Sequence, residues 1–314
     1  MPLLEVETGG LLTTVQDLGR IGQQRSGMTV VGAMDPFAAS AANLLVGNER
    51  GAAVLEITLL GPTLRFLTQA RIALCGADLT ARLDGELLPL WKTVTVQTGQ
   101  QISFGRRRSG ARSYLAVAGG FSVPAVGGSR ATFLRGKLGG FEGRALRPGD
   151  ILPCFSMSLS SGERGLRPGD TPVYDVPAVL CVLLGPQESQ FTDEGRSAFL
   201  TATYTVSPQS DRQGYRLSGP AVERTSAADI LSEPMPLGGI QIPPDGQPIL
   251  LMADRQTTGG YPLIGVVISA DIPHAAQLAP GDTVRFVLVR LEEAVEAAVK
   301  TERRLRLLEL ISLS

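Results

Sequence analysis

The chain has 314 residues, 43% hydrophobic and 19% charged, enough for two domains that each bury a sizeable core. A formal net charge of −1 excludes a general electrostatic pull toward nucleic acid or an anionic membrane. A single histidine excludes a metal centre built on several imidazoles, and Cys75, Cys154 and Cys181, odd in number and widely spaced, make neither a disulfide framework nor a zinc motif. The opening MPLLEVETGG has no basic start or long apolar core, and no apolar run reaches the roughly 20 residues of a bilayer span, so the expectation is a cytoplasmic protein. Nearly all the basic residues are arginine, suited to clamping carboxylates or phosphates but poor at carrying protons; Lys92, Lys137 and Lys300 are the only lysines.

Along the chain, TTVQDLGRIG (13–22) sets Gln16, Asp17 and Arg20 among turn glycines. Asp17 bonding the turn and Arg20 pairing with it is one reading; an amide, a carboxylate and a guanidinium converging on a ligand is the other. In VGAMDPF (31–37), Asp35 reads as the N-cap of a helix with Pro36 at its first position and Phe37, Ala41, Leu44 and Leu45 on its buried face. Capping accounts for Asp35, and the glycine-alanine turn before it would let a ligand approach the helix end.

Segments 71–83, 93–105 and 113–121 read as strands, several alternating inward and outward, as in Thr93-Val94-Thr95-Val96. GGSRAT (127–132) and RGKLGGFEGR (135–144) place Arg130 and Lys137 on turn backbone. Gly136-Lys137 does not make a phosphate loop, because Ala131 stands where a glycine is needed and Leu138 where a hydroxyl is needed. The polar stretch 156–170 reads as a linker.

Strands resume at 178–184, and a helix is expected from Thr192 with Asp193 and Glu194 in its first turn. In SDRQGYRLSGP (210–220), Asp211-Arg212 reads as a surface ion pair or as site-lining. The apolar PILLM is followed at once by ADRQTTGGYP (253–262), where Arg255, Gln256, Thr257, Thr258 and Tyr261 surround the Gly259-Gly260 turn. That is more hydrogen-bonding chemistry than a turn requires, so this stretch is the strongest local case for a ligand site. Further strands lie at 261–269 and 282–289, His274 reads as structural, and the tail 291–310 reads as a helix. A glycine turn followed by an alternating strand recurs in both halves, as in LRPGDIL (146–152) and LAPGDTVRF (278–286), which fits two related β domains.

Taken in order, TTVQDLGR, GAMD, AANLLVGN, LEITLLGP, ARSYLAVAGGF, GGSRAT, LGPQ, SDRQGYRLSGP and ADRQTTGGYP resemble the biotin-dependent carboxyltransferase-like family, from about Gly10 to about Val289. That family includes the C subunit of bacterial ATP-dependent 5-oxoprolinase, antagonists of a sporulation-kinase inhibitor, the second allophanate-hydrolase-type subunit and the carboxyltransferase region of urea carboxylase. The resemblance implies a mainly β fold of two cyclophilin-like β-barrel domains, here 1–165 and 166–290, with a C-terminal helix (291–314) outside it.

It also implies partners: a kinase-inhibitor-like B subunit and a TIM-barrel-like A subunit. With them the complex opens 5-oxo-L-proline to L-glutamate using ATP, which no phosphate loop in this chain would bind. Stand-alone members of this size look most like the oxoprolinase C subunit, and no A-M-K-type motif for covalent biotin occurs here. A carboxyltransferase subunit and a non-catalytic antagonist stay open as alternatives. Val31 and Leu263 depart from the serine and lysine that relatives often carry. The residues expected at the site are Asp17, Arg255 and Gln256 for catalysis; for substrate binding they are Gln16, Arg20, Asp35, Arg130, Asp211, Arg212, Thr257, Thr258, Gly259, Gly260 and Tyr261, with no metal.

Overall fold

The computed structural model describes residues 1–155, 162–226 and 230–313, so the Ser-rich part of the expected linker, 156–161, lies outside the described residues. The chain divides into two units, one comprising Met1–Ile21, Val31–Tyr174 and Arg303–Ser314, the other Gly22–Val30 and Asp175–Glu302. The short excursion 22–30 therefore belongs with sequence far downstream of it.

The first unit is layered. A six-stranded sheet, containing Pro2–Thr8 and Thr63–Phe66, and a five-stranded sheet, containing Leu12–Gln16, Val54–Thr58, Ala70–Asp78 and Ser109–Val117, enclose one apolar core. Ala70–Asp78 runs between Ser109–Val117 and Thr93–Val96 and is buried on both faces. Ile72 and Leu74 point into the core between the sheets, while Ala73 and Cys75 meet the helix α1 (Pro36–Leu45). Burial on both sides explains why ARIALCGA reads as a continuous apolar run rather than an alternation.

Helix α1 starts as expected: Asp35 Oδ1 accepts the Ala38 N–H at 2.8 Å and Pro36 fills the first turn. All residues from Phe37 to Leu45 are buried, more than one face. The second cover comes from the end of the C-terminal helix, where Leu308 is buried against this cluster and the Arg304 guanidinium lies 4.8 Å over the Phe37 ring. Burying a leucine side chain stabilises by about 1.5–3 kcal/mol.

The second unit is a closed seven-stranded barrel. Its strands run in the order Ala178–Leu184, Leu263–Val267, Gly239–Gln241, Ile249–Leu251, Gly214–Ser218, Tyr204–Val206 and Thr283–Leu288. A parallel pairing of Ala178–Leu184 with Thr283–Leu288 closes it. Inside, Phe199 of α2 (Asp193–Thr201) stacks on Phe286 at 4.6 Å between ring centroids, and Leu180, Val206, Ile240 and Val284 fill the remainder. The expected cap at Thr192 is present, its Oγ1 accepting the Gly195 N–H at 3.0 Å. A short α3 (Ile272–Ala276) follows, and α4 (Leu291–Leu313) ends the chain.

Candidate functional site

In the first unit, Asp17 follows directly on the strand Leu12–Gln16 and is almost fully buried. Its carboxylate accepts from the Gly19 N–H at 2.8 Å, the Ser129 hydroxyl at 2.6 Å and the Arg130 N–H at 2.5 Å. These donors occupy Asp17 in joining its own turn to GGSRAT. Arg20 does not form a hydrogen-bonded pair with Asp17: its Nε donates to Val126 O at 3.0 Å and its Nη2 to Ala131 O at 2.7 Å, so the buried guanidinium is solvated by peptide carbonyls.

Gln16 donates through Nε2 to Thr14 Oγ1 at 3.0 Å and Thr132 O at 3.2 Å, while its buried Oε1 has no partner among the described residues. The Arg130 Nε donates to Val123 O at 3.0 Å and its guanidinium sits 5.2 Å from the Phe155 ring centroid. Asp35, besides capping α1, accepts from the Tyr174 hydroxyl at 3.1 Å. The motif before it is fixed by Glu56, which accepts the Met34 N–H at 2.8 Å and the Tyr114 hydroxyl at 2.9 Å. Burial first, and then the Glu56 charge, hold the Tyr114 phenol well above its usual range.

In the second unit, the strand Ile249–Leu251 runs into Asp254, and here the sequence expectation needs correcting. Arg212 does not lie on the surface. It is buried and pairs with Asp254, Nη2 to Oδ1 at 2.9 Å and Nε to Oδ2 at 3.2 Å. Asp211 accepts the Gln213 N–H at 2.8 Å and closes its own turn.

This pair anchors the start of ADRQTTGGYP. Arg255, next in line and half-buried, donates from Nε to Met235 O at 2.9 Å and from Nη2 to Gln24 Oε1 at 3.4 Å. Gln24 belongs to the 22–30 excursion and is held by Nε2 bonds to Met235 O at 3.2 Å and Thr257 O at 3.1 Å. Arg255 makes no ion pair among the described residues, and burial alone pushes its pKa below that of a free guanidinium. A partly desolvated cation balanced only by neutral oxygens is a receptor for an anion.

A chain of amide side chains starts from the residue after Arg255, Gln256. Gln213 Nε2 donates to Gln256 Oε1 at 3.2 Å, Gln256 Nε2 to Gln241 Oε1 at 2.9 Å, and Gln241 Nε2 to Tyr261 O at 3.3 Å. A Cβ at position 259 would lie 2.7 Å from Gln241 Nε2 and 3.1 Å from Met235 Sδ, so a side chain there would push the Gln241 amide out of its present place in the network. Thr258–Gly259 pairs with Glu233–Pro234. The structure thus brings Arg212, Arg255, Gln256, Thr257, Thr258, Gly259 and Tyr261 into one neighbourhood, with Gly260 following Gly259 in the turn and Asp211 beginning the loop that carries Arg212.

Gln24, Gln213 and Gln241 were not singled out from sequence. The one local signal was Gln241, a buried amide within the apolar strand Gly239–Gln241.

The carboxyltransferase domain family, subdomains A and B, matches residues 26–288. Over 305 residues, 96% of each chain, the sequence is 41% identical to the C subunit of 5-oxoprolinase from Escherichia coli (strain K12). The protein of the same name from Haemophilus influenzae is 37% identical, covering 92% of each chain. The solved urea amidolyase of K. lactis superimposes with a TM-score of 0.92 at 30% identity, covering 98% of this chain and 20% of that much longer one. The family match ends at residue 288, ahead of α4 as expected, while 98% coverage carries the likeness to the K. lactis structure into that helix.

Proposed function

This chain belongs to the family of carboxyltransferase domains with subdomains A and B, and from that premise we propose that it is the C subunit of an ATP-dependent 5-oxoprolinase. The observation that carries the proposal is the 41% identity to a 5-oxoprolinase C subunit across 96% of both chains. Its partners on this reading are a kinase-inhibitor-like B subunit and a TIM-barrel-like A subunit. ATP is handled within that complex, since the sequence has no phosphate loop.

The lactam of 5-oxoproline is unstrained and weakly electrophilic. Its carbonyl oxygen takes the γ-phosphoryl group of ATP, releasing ADP and leaving an activated carbon. Water adds there, and the C–N bond breaks with the nitrogen leaving as the amine. Phosphate then departs from the same carbon with the original carbonyl oxygen, displaced by a second water, giving glutamate.

Arg255 has the character needed to hold the substrate's carboxylate, as a guanidinium without an acidic partner, fixed in direction by Met235 O and Gln24. Gln256, Thr257 and Tyr261 line that place, and the Arg212–Asp254 pair positions it. Asp17 acts by holding GGSRAT rather than by activating water, because its oxygens are already occupied.

A second reading, carboxyl transfer to or from biotin on a separate carrier, is favoured by the likeness to urea amidolyase. Isotope transfer separates the two. With 5-oxoproline labelled with ¹⁸O at the ring carbonyl, the complex containing this chain should deliver the label into inorganic phosphate. Unlabelled phosphate, or turnover indifferent to this chain, would overturn the proposal.

A further inference from the structure

The excursion 22–30, which belongs with the second unit, is tied to that unit by a single side chain. No residue in it is buried, and its one turn of 3₁₀ helix, Gln24–Ser26, has no side-chain cap. Its backbone bonds close within the segment, from Ser26 N–H to Gln23 O and from Gly27 N–H to Gln24 O, both at 2.9 Å. Among the described residues, every hydrogen bond between this segment and the remainder of the unit involves the Gln24 amide: Nε2 donates to Met235 O and Thr257 O, and Oε1 accepts from Arg255 Nη2. Gly22 and Gly27, at φ of +83° and +76° with open space around each, flank that residue as pivots. A segment with no buried residue and one point of attachment sits at the low end of local stability.

The attachment point is the anion receptor itself. Met235 O takes Arg255 Nε at 2.9 Å and Gln24 Nε2 at 3.2 Å, and Gln24 Oε1 takes Arg255 Nη2 at 3.4 Å. Two neutral oxygens thus hold the guanidinium through Nε and Nη2, while Nη1 has no hydrogen-bond partner among the described residues. Nη1 and the second N–H of Nη2 form the end-on fork that receives a carboxylate through two parallel bonds. At 3.4 Å the Arg255–Gln24 bond lies beyond the usual range, so fixing the guanidinium in one orientation has room to strengthen it.

Resting on the reading of Arg255 as the holder of the substrate's carboxylate, we propose that residues 22–30 are a strap latched by Gln24, and that strap closure and carboxylate binding at Arg255 strengthen one another. Gln24 is a positioning residue, acting through the arginine rather than on the substrate. By linkage, the factor by which the latched strap tightens binding equals the factor by which a bound carboxylate holds the strap closed, and such couplings run about 5- to 150-fold.

Arg25, exposed within the strap, reports its opening through tryptic cleavage of the 25–26 bond, with cleavage after the exposed Arg106 of the first unit as the reference. In the full chain, saturating 5-oxo-L-proline should slow cleavage after Arg25 at least about fivefold and leave cleavage after Arg106 unchanged, whereas the neutral 5-oxo-L-prolinamide should change neither. Gln24→Ala should be cleaved after Arg25 at one fast rate with or without 5-oxoproline, and calorimetry should show it binding that acid at least about fivefold more weakly. Binding of 5-oxoproline without slower cleavage after Arg25 would overturn the proposal, as would equal protection by the amide or a Gln24→Ala chain that binds as the unaltered one does. No binding of 5-oxoproline at all would overturn the role of Arg255 and the strap together. The oxoprolinase assignment is judged separately, by glutamate release from the assembled complex, so either can fail alone. The comparison of acid with amide uses the unaltered chain and so does not depend on any variant folding.

Discussion

Replacing Arg212 by leucine removes one half of an ion pair whose side chains are only 5% and 9% exposed. The Asp254 carboxylate is left buried. Breaking such a pair costs about 3–5 kcal/mol. Protonation sets a ceiling: neutralising an aspartate of ordinary pKa near 3.9 at pH 7 requires about 1.36 × 3.1, or roughly 4 kcal/mol, and only about 1.5 kcal/mol at pH 5. The expected loss is therefore about 3–4 kcal/mol at pH 7, shrinking toward 1.5 at pH 5, because the orphaned acid escapes by taking a proton.

Urea unfolding followed by far-UV circular dichroism at both pH values measures this. Hydrogen exchange in Gly214–Ser218 and Ile249–Leu251, the strands flanking the pair, localises it. The double variant Arg212→Leu with Asp254→Leu should recover most of the loss, since no buried charge remains. A loss below about 1 kcal/mol at pH 7, or one that does not change with pH, would refute the reasoning.

Gly140→Ala, at φ +56° and against Thr132 Oγ1, should destabilise the first unit by more than about 2 kcal/mol, whereas Gly149→Ala, at φ +89° with open space around it, should lose only about 1 kcal/mol from backbone strain; thermal unfolding compares them. Cys181, its thiol pushed up to about 11 by burial and then by Asp271, should react with a disulfide reagent at pH 8 about a hundredfold more slowly than a thiol of pKa 9 in the native chain, and at the ordinary rate once unfolded. Arg144 holds the Asp150 carboxyl below its usual 3.8, so this contribution to stability is present above that pH and lost as pH falls through the lowered value. The urea midpoint should accordingly fall more steeply below pH 4 in the unaltered chain than in Arg144→Met.

What could be read in the sequence was what short-range physics dictates. Asp35-Pro36 must start a helix because the side chain can reach the amide of Ala38, and ADRQTTGGYP must turn because it leaves a buried strand through two glycines. Arg212 read as a surface residue beside Asp211, while the Asp254 it pairs with in the interior arrives from the far end of the paired strand. Arg20 misled for a related reason: carbonyl groups of Val126 and Ala131 receive its Nε and Nη2, and carbonyls leave no trace in side-chain identity. The same holds for Gln24, whose Nε2 is received by the backbone of Met235 and Thr257, so the membership of 22–30 in the second unit was invisible. The loop 137–143 takes left-handed backbone at two non-glycine residues, Lys137 and Glu142, which no propensity would suggest.

The most direct test of the oxoprolinase assignment is glutamate and phosphate release from 5-oxoproline and ATP, with this chain and its TIM-barrel-like and kinase-inhibitor-like partners present, and with each left out in turn. Stoichiometric glutamate and phosphate only in the complete mixture is expected, with activity falling at least a hundredfold when Arg255→Ala replaces the unaltered chain. Glutamate formed at the same rate without this chain would contradict the assignment, as would no glutamate from a properly assembled complex that instead consumes carboxylated biotin.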